Sequence, residues 1–265
     1  MKFGISTACF YPTPIERGIE YIAALGFENV EVFVNAQSEY RRPFCTEYRR
    51  RLNALGLNVV SVHPFSSGVE GIYLFADYER RVQDTLDDYE RYCECAAEWG
   101  AQFLTFHGER KVPLGLPMRQ DNAQRRYEIY HQLCERAQRW GMAIAQENVA
   151  WCKSHDPEFL RGLHDNVPEL KFTLDLKQAE RAGHDWKDYV DAVGDRIVNL
   201  HISDHTQDRD CMLPGAGTFR FEELFDRMNG LGYDGAALIE VYSGDYQNRS
   251  ELSDSLHYLN TIIRE

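Results

Sequence analysis

The stretch Met142-Ala-Ile-Ala-Gln-Glu-Asn148 decides the fold, because its apolar run stops abruptly at a charged residue, Glu147. Five further short apolar runs stop in the same way, at His63, His107, Asp175, His201 and Glu240. If these runs are neighbouring parallel strands, their last residues all lie at the same end of the sheet. The polar residues at the strand ends then lie close together and form one candidate site.

A repeated unit surrounds these runs, consisting of an amphipathic helical segment, a glycine and then an apolar run. The glycines that end the helical segments are Gly26, Gly56, Gly100, Gly141 and Gly232. The apolar runs predict strands at residues 2–7, 29–34, 59–63, 103–107, 142–147, 170–175, 197–201 and 236–241.

Strands that alternate with helices predict a parallel sheet with crossover connections. The chain has 265 residues, which suits eight such units, and residues 1–265 are predicted to form a single (β/α)8 TIM barrel domain. The alternative is a doubly wound open sheet, which usually carries a glycine-rich nucleotide turn after its first strand. The turn here is Ala8-Cys-Phe-Tyr11, without glycine, and it favours the barrel.

The amino-acid composition limits which binding partners and which cellular compartment we expect for the protein. The formal net charge is −13, and an acidic surface repels polyphosphate, so nucleic acid is not an expected partner. No apolar run approaches the ~20 residues that span a bilayer, and no signal peptide precedes the first strand. The seven cysteines are odd in number and lack a CxxC spacing, so we expect reduced thiols and a cytoplasmic protein. The sequence leaves open whether the protein is a homo-oligomer.

Three long irregular segments follow predicted strands, at residues 64–75, 109–119 and 203–218. In a parallel barrel such segments lie on the face that carries the strand ends. They are therefore predicted to act as lids over a site on that face.

The strand-end residues are imidazoles and carboxylates, a set that suits a divalent Zn, Mn, Co, Fe or Mg ion. A single histidine or carboxylate at a strand end commonly does no more than satisfy a backbone group. Six of the eight predicted strands have such a residue at the last position or one residue before it. That frequency favours a shared metal site over separate structural roles.

The motifs around these strand ends are Ser61-Val-His63-Pro, Thr105-Phe-His107-Gly, Gln146-Glu147-Asn148, Leu174-Asp175-Leu, Asn199-Leu-His201-Ile-Ser-Asp204, Leu213-Pro-Gly-Ala-Gly217-Thr-Phe219 and Ile239-Glu240. Together they resemble the xylose isomerase-like superfamily of sugar isomerases and epimerases, which also includes the apurinic endonucleases. The resemblance extends over the whole chain. The combination of motifs is specific for the superfamily, whereas no single motif is.

The resemblance implies one divalent metal ion (Mn, Co, Zn or Mg) held by Glu147, Asp175, His201 and Glu240. It also implies that Glu147 and Glu240 are catalytic and lie on opposite faces of a small keto-sugar, sugar phosphate or related polyol. Removal of the proton alpha to a metal-bound carbonyl gives an enediolate, and the return of a proton isomerises or epimerises the substrate.

Within the same resemblance, His63 and His107 are expected either to support the metal ligands or to face the substrate and recognise its hydroxyl groups, and the second role is favoured. Gln178 lies three residues after Asp175, at a position where these families usually have a histidine. An amide can hydrogen-bond a substrate or a bound water, but it cannot take a proton as imidazole does.

Three further residues near the expected mouth are candidates for substrate binding. Trp151 could stack on a sugar face or belong to the core. Asp204 could orient His201 and line the site, or it could cap the following turn. Arg220 could hold an anionic substrate or be an ordinary surface charge.

The leading hypothesis is a metal-dependent isomerase or epimerase that acts on a small polyhydroxylated carbonyl compound. The closest alternative is a lyase or dehydratase of the inosose or keto-sugar type, which would use the same site residues but give a different product. A sugar-binding or metal-binding barrel without catalysis is the alternative from another class. Apurinic endonuclease activity is a remote alternative for two reasons in the motifs. Gln178 replaces the usual histidine, and Asp208-Arg-Asp210 replaces an Asp-x-His loop motif. The acidic net charge also disfavours DNA as a substrate.

Overall fold

Eight parallel strands close into one barrel. The computed structural model describes residues 1–64, 67–111 and 122–263. Its strands are β1 (Lys2–Ser6), β2 (Asn29–Phe33), β3 (Asn58–His63), β4 (Phe103–Phe106), β5 (Ala143–Glu147), β6 (Lys171–Asp175), β7 (Ile197–Ile202), β8 (Asp204–Thr206), β9 (Arg209–Met212) and β10 (Ala236–Ile239). The barrel has the spatial order β1-β10-β7-β6-β5-β4-β3-β2, and β8 and β9 lie outside it. The predicted (β/α)8 TIM barrel is confirmed.

Helices surround the barrel and cover the apolar outer faces of its strands. They are α1 (Ile15–Ala24), α2 (Arg42–Ala54), α3 (Ser67–Tyr73), α4 (Glu79–Trp99), α5 (Ala123–Gln138), α6 (Pro157–Asn166), α7 (Leu176–Ala182), α8 (Trp186–Val193), α9 (Phe221–Gly230) and α10 (Ser250–Ile262). The helix ends follow the predicted pattern. Gly100, for example, ends α4 in the left-handed conformation, with φ 90°, which a residue without a side chain adopts at little cost.

The strand ends differ from the sequence prediction by one or two residues. β4 ends at Phe106 and β10 at Ile239, so His107 and Glu240 lie just beyond their strands. Glu240 nevertheless stays in register, because its backbone N–H donates to the Ile202 carbonyl of β7 at 3.1 Å. The polar strand-end residues are therefore still brought to the same end of the barrel.

The segments predicted as lids contain structure of their own where they are described. α3 lies within the first segment, although residues 65–66 lie outside the described part. The third segment forms a two-stranded antiparallel hairpin of β8 (Asp204–Thr206) and β9 (Arg209–Met212). Residues 112–119 of the second segment lie outside the described residues, and the lid role of all three stays a prediction.

Asp204 begins this hairpin, and its side chain binds backbone groups of the hairpin and of the loop that follows it. Its Oδ1 accepts the backbone N–H groups of His205 and Phe219, at 2.8 and 2.9 Å. Its Oδ2 accepts those of Gly215 and Gly217, at 3.0 and 2.9 Å. Four backbone donors thus occupy the buried carboxylate, which matches the turn-capping alternative, and a contact of Asp204 with substrate stays a prediction. Asp204 ties the returning loop to the start of the hairpin.

The cysteine prediction is wrong for one pair. Cys45 of α2 and Cys95 of α4 form a disulfide with a Cα–Cα distance of 5.9 Å. The pairing joins two neighbouring helices across 50 residues of sequence, a separation that no spacing motif reveals. The other five cysteines are free and buried, as expected for small core residues: Cys9, Cys93, Cys134, Cys152 and Cys211.

None of the helices in the described ranges is long and apolar enough to cross a membrane.

Replacing Asp204 by alanine is expected to loosen the hairpin, because four backbone N–H groups would lose a charged acceptor. We expect the free energy of unfolding to fall by about 2–4 kcal/mol, measured by urea denaturation, and proteolysis within the hairpin to accelerate. Asp208→Ala, in the exposed turn of the same hairpin, is the control and should change neither. Equal stability of the two variants would contradict the role assigned to Asp204.

Candidate active site at the strand ends

Four residues, here named the ligand cluster, converge at the carboxyl end of the barrel: Glu147, Asp175, His201 and Glu240. Glu147 ends β5, Asp175 ends β6, His201 belongs to β7, and Glu240 follows β10. Each offers one nitrogen or oxygen atom, and these atoms all lie within 4.8 Å of one another. Parallel strand closure therefore brings together the set of residues that the sequence analysis had grouped.

His201 lies at the centre of the cluster. Its Nδ1 is 3.2 Å from Glu147 Oε1, 3.1 Å from Glu240 Oε2 and 3.8 Å from Asp175 Oδ2. The imidazole thus faces all three carboxylates through one nitrogen.

The opposite nitrogen of His201 is held by Glu31, a fully buried residue of β2. The Nε2 atom lies 3.0 Å from Glu31 Oε2. That oxygen also accepts hydrogen bonds from the hydroxyls of Ser61, at 2.7 Å, and Thr105, at 3.0 Å. A proton on Nε2 donated to Glu31 leaves the Nδ1 lone pair directed into the cluster, which is the tautomer that a metal ligand needs.

Asp175 is fixed through its backbone and one of its oxygens. Its N–H donates to Asn148 Oδ1 at 2.7 Å, and its carbonyl accepts from Asn148 Nδ2 at 2.9 Å. Its Oδ1 caps α7 by accepting the Gln178 N–H at 2.8 Å. Only Oδ2 is left to face the cluster.

Lys177, from the first turn of α7, brings a buried ammonium group against the cluster. Its Nζ lies 3.0 Å from Glu240 Oε2 and 3.3 Å from Asp175 Oδ2. An uncompensated buried ammonium is costly, and the two carboxylates supply the compensation.

Glu147 is approached from its other side by a pair of imidazoles. His107 Nε2 lies 2.9 Å from Glu147 Oε2, and His63 Nε2 lies 2.7 Å from His107 Nε2. His63 is buried behind His107 and stacks on Phe33, with ring centroids 4.5 Å apart. The cluster therefore has imidazoles beside Glu147 and a lysine beside Glu240.

These neighbours set the ionisation of the carboxylates. Burial alone would raise each pKa. For Glu147, three surrounding imidazoles outweigh burial, and its pKa lies well below the usual range. For Glu240, Lys177 and His201 outweigh burial, with the same result. For Asp175, burial prevails over the attraction of Lys177 and raises the pKa to about 6.

The cluster fits a divalent ion on two grounds. Three carboxylates and one imidazole are the donor set that Mn, Co, Zn and Mg sites use. In addition, Glu147 Oε2 and Asp175 Oδ2 are buried without a hydrogen-bond donor in suitable geometry. Burying a charged oxygen without a hydrogen-bond donor destabilises the folded protein, and a bound cation would offset that destabilisation.

Of the residues predicted to contact substrate, His107 and Trp151 lie beside the cluster. Their ring centroids are 5.3 Å apart in an edge-to-face arrangement, and the Arg110 guanidinium lies over the Trp151 ring at 4.6 Å. Gln178 also lies nearby, but its side-chain oxygen accepts the Ala150 N–H at 3.1 Å. That bond ties α7 to the loop after β5.

Arg220 lies apart from the cluster. It is exposed and lines an outer cavity together with Trp186, Phe219 and Lys187. No ligand-cluster residue lines the described wall of that cavity. The structure therefore brings neither Arg220 nor Asp204 into the cluster, whereas His63 and His107 do reach it.

Sequence reasoning missed two charged residues, Glu31 and Lys177. A signal for Glu31 existed, because it is the one charged residue of the otherwise apolar strand segment Val30-Glu-Val-Phe33. Lys177 gave a weaker signal, as a cation in the first turn of a helix, where the helix dipole disfavours positive charge.

Solved structures with the same fold include sugar epimerases. The chain aligns with a D-tagatose 3-epimerase-like protein at a TM-score of 0.82 and 19% identity, covering 100% of this chain and 97% of that one. It aligns with the apo form of 3-keto-D-glucoside 4-epimerase from E. coli at a TM-score of 0.76 and 20% identity, covering 98% and 99% of the two chains. At these identities the likeness establishes the fold.

Sequence comparison gives the family. An uncharacterized protein of Mycobacterium tuberculosis (strain ATCC 25618 / H37Rv) is 26% identical over 303 aligned positions, covering 99% of this chain and 98% of that protein. The family model described as xylose isomerase-like TIM barrel matches residues 19–262. Because this match covers most of the chain, the protein belongs to the xylose isomerase-like TIM barrel family.

Proposed function

We propose that the protein is a divalent-metal-dependent isomerase or epimerase of a small keto-sugar or related polyol. The observation that carries the proposal is the contact of one imidazole nitrogen, His201 Nδ1, with both Glu147 and Glu240. Two glutamates thus flank one position that also suits a cation. The sugar epimerases among the structural neighbours support the same class of reaction.

In this proposal Glu147, Asp175, His201 and Glu240 hold one divalent ion. Once bound, such an ion supplies positive charge that polarises a substrate carbonyl and acidifies the neighbouring C–H. Glu31 keeps the Nδ1 lone pair of His201 directed at the ion.

Glu147 is the base in the proposed reaction, because the imidazoles beside it favour its ionised form. It takes the proton from the carbon next to the carbonyl. The C–H electron pair then forms the carbon–carbon double bond, and the carbonyl oxygen takes up the negative charge. If Glu147 returns the proton to the neighbouring carbon, and the hydroxyl proton of the first carbon passes to the former carbonyl oxygen, aldose and ketose interconvert without any net redox change.

Glu240 is the residue that would make epimerisation possible. It lies on the β10 side of the barrel mouth, and β6 and β7 separate that side from Glu147 on β5. A proton delivered by Glu240 inverts the carbon that Glu147 has deprotonated. This epimerisation requires Glu240 to begin the step protonated and to end it ionised.

The metal-free protein, incubated with Mn, Co, Zn or Mg, should bind about one equivalent of a divalent ion, because one set of four ligands is present. At an ion concentration 100 times the Kd, binding adds about 2.7 kcal/mol of stability. The melting temperature should then rise by roughly 5–10 °C. Asp175→Asn should reduce the rise, and the exposed matched control Asp188→Asn should not. No binding of any of the four ions would contradict the metal requirement.

A panel of keto-sugars and inososes, incubated in deuterated water with the metal-loaded protein, tests the reaction. Deuterium should enter a substrate at the carbon next to the carbonyl, as detected by NMR. Glu147→Gln should lower the exchange rate by about 100-fold or more without loss of the folded state. Glu135→Gln, an exposed substitution on α5, should retain the wild-type rate. Full exchange by Glu147→Gln would show that another group is the base.

Glu31→Gln tests the positioning of His201. The amide cannot reproduce the charge that holds the Nε2 proton, so the Kd for the divalent ion should rise by about 10–100-fold, measured by calorimetry. Glu28→Gln, exposed just before β2, is the matched control. An unchanged Kd in Glu31→Gln would show that His201 is oriented without the Glu31 charge.

A further inference from the structure

Lys177 is the one side-chain ammonium group within ion-pair distance of the ligand cluster in the described part of the chain. It is held from several directions. Besides Asp175 Oδ2 and Glu240 Oε2, its Nζ approaches the backbone carbonyl of Glu240 at 3.4 Å. All three acceptors belong to two residues of the ligand cluster.

The position of Lys177 is unfavourable without those acceptors. The side chain is buried, and removing an ammonium from water is costly. Lys177 also lies in the first turn of α7, where the N–H groups of the helix end repel a cation. The attraction of Asp175 and Glu240 therefore accounts for the buried position of this charge.

The oxygens that hold Lys177 are the ones that a divalent ion requires. Asp175 Oδ1 is occupied by the Gln178 N–H, so Oδ2 alone is directed into the cluster. Glu240 Oε2 is the oxygen nearest His201 Nδ1, at 3.1 Å. An ammonium and a divalent ion consequently compete for the same two atoms, and their positive charges repel each other.

We propose that Lys177 is a built-in counter-cation, which neutralises Asp175 and Glu240 in the metal-free protein and competes with the divalent ion for them. The inference rests on the proposed function for the presence of that ion. In this proposal Lys177 sets both the affinity for the divalent ion and the stability of the metal-free protein.

The structure also provides a second contact for the displaced ammonium. The Tyr242 ring centroid lies 5.4 Å from Lys177 Nζ, within the range of a cation–π interaction. Arg181 donates to the Tyr242 hydroxyl at 2.8 Å and thereby helps to fix the ring. The ammonium already lies within reach of this ring, which it shares with the Arg181 guanidinium, 5.4 Å from the centroid.

Calorimetric titration of the chelator-treated full chain with Mn, Co, Zn or Mg alone tests the inference. Lys177→Met removes the charge and keeps a similar length, and Lys177→Gln is a second neutral variant in case the first fails to fold. We expect both to bind the ion at least about tenfold more tightly than the wild type, which corresponds to about 1.4 kcal/mol. Lys177→Arg, which retains the charge, and the exposed Lys187→Met should show no such tightening.

Thermal unfolding of the same proteins gives a readout that is independent of activity. Without metal, the neutral Lys177 variants should melt below the wild type, and their melting temperatures should rise more when the ion is added. Equal affinity of wild type and neutral variants would overturn the inference and leave the proposed function intact. If none of the proteins binds any of the ions, the metal requirement of the proposed function fails and the inference falls with it.

Discussion

The buried charge of the ligand cluster is the constraint on which the surrounding site depends. Three carboxylates and one imidazole cannot leave water unless other groups compensate for their lost hydration. The barrel supplies these groups from every side. Histidines approach Glu147, Lys177 approaches Glu240 and Asp175, and the backbone N–H of Gln178 donates to Asp175 Oδ1. Glu147 Oε2 and Asp175 Oδ2 face His107 and Lys177 as ion pairs without a well-oriented hydrogen bond, so both oxygens are available to a divalent ion.

The fold and the convergence of six polar strand ends could be predicted from strand periodicity and from the shared direction of parallel strands. The resemblance to the family then singled out the four residues of the ligand cluster. Contacts between elements that are distant in sequence could not be predicted. Glu31 reaches His201 across 170 residues, and Cys45 reaches Cys95 between two helices. For Asp204 the sequence left two roles open, one that lines the site beside His201 and one that caps the following turn. Only the folded loop shows that four backbone N–H groups converge on its carboxylate.

The replacement of the usual histidine by Gln178 takes on a physical meaning in the structure. The Gln178 side-chain oxygen holds the Ala150 N–H, so the residue joins α7 to the loop that follows Glu147. The cation next to the cluster comes instead from Lys177, one residue earlier. The first turn of α7 thus contributes a structural hydrogen bond from Gln178 and a positive charge from Lys177, at adjacent positions. The family pattern in the sequence identifies the substituted position, but it does not reveal that the neighbouring residue faces the cluster.

The two glutamates of the proposed reaction are chemically unequal, although both come from strand ends. Glu147 has imidazoles beside it, which can share or relay a proton, whereas Glu240 has a lysine ammonium that only stabilises the ionised carboxylate. This asymmetry favours Glu147 as the base. Glu240 can donate a proton only after the attraction of Lys177 is relieved, and the positive charge of a divalent ion held by the ligand cluster would oppose protonation further. Within the proposed function, the position of Lys177 therefore bears on the balance between epimerisation, which needs a proton from Glu240, and isomerisation, which Glu147 can complete alone.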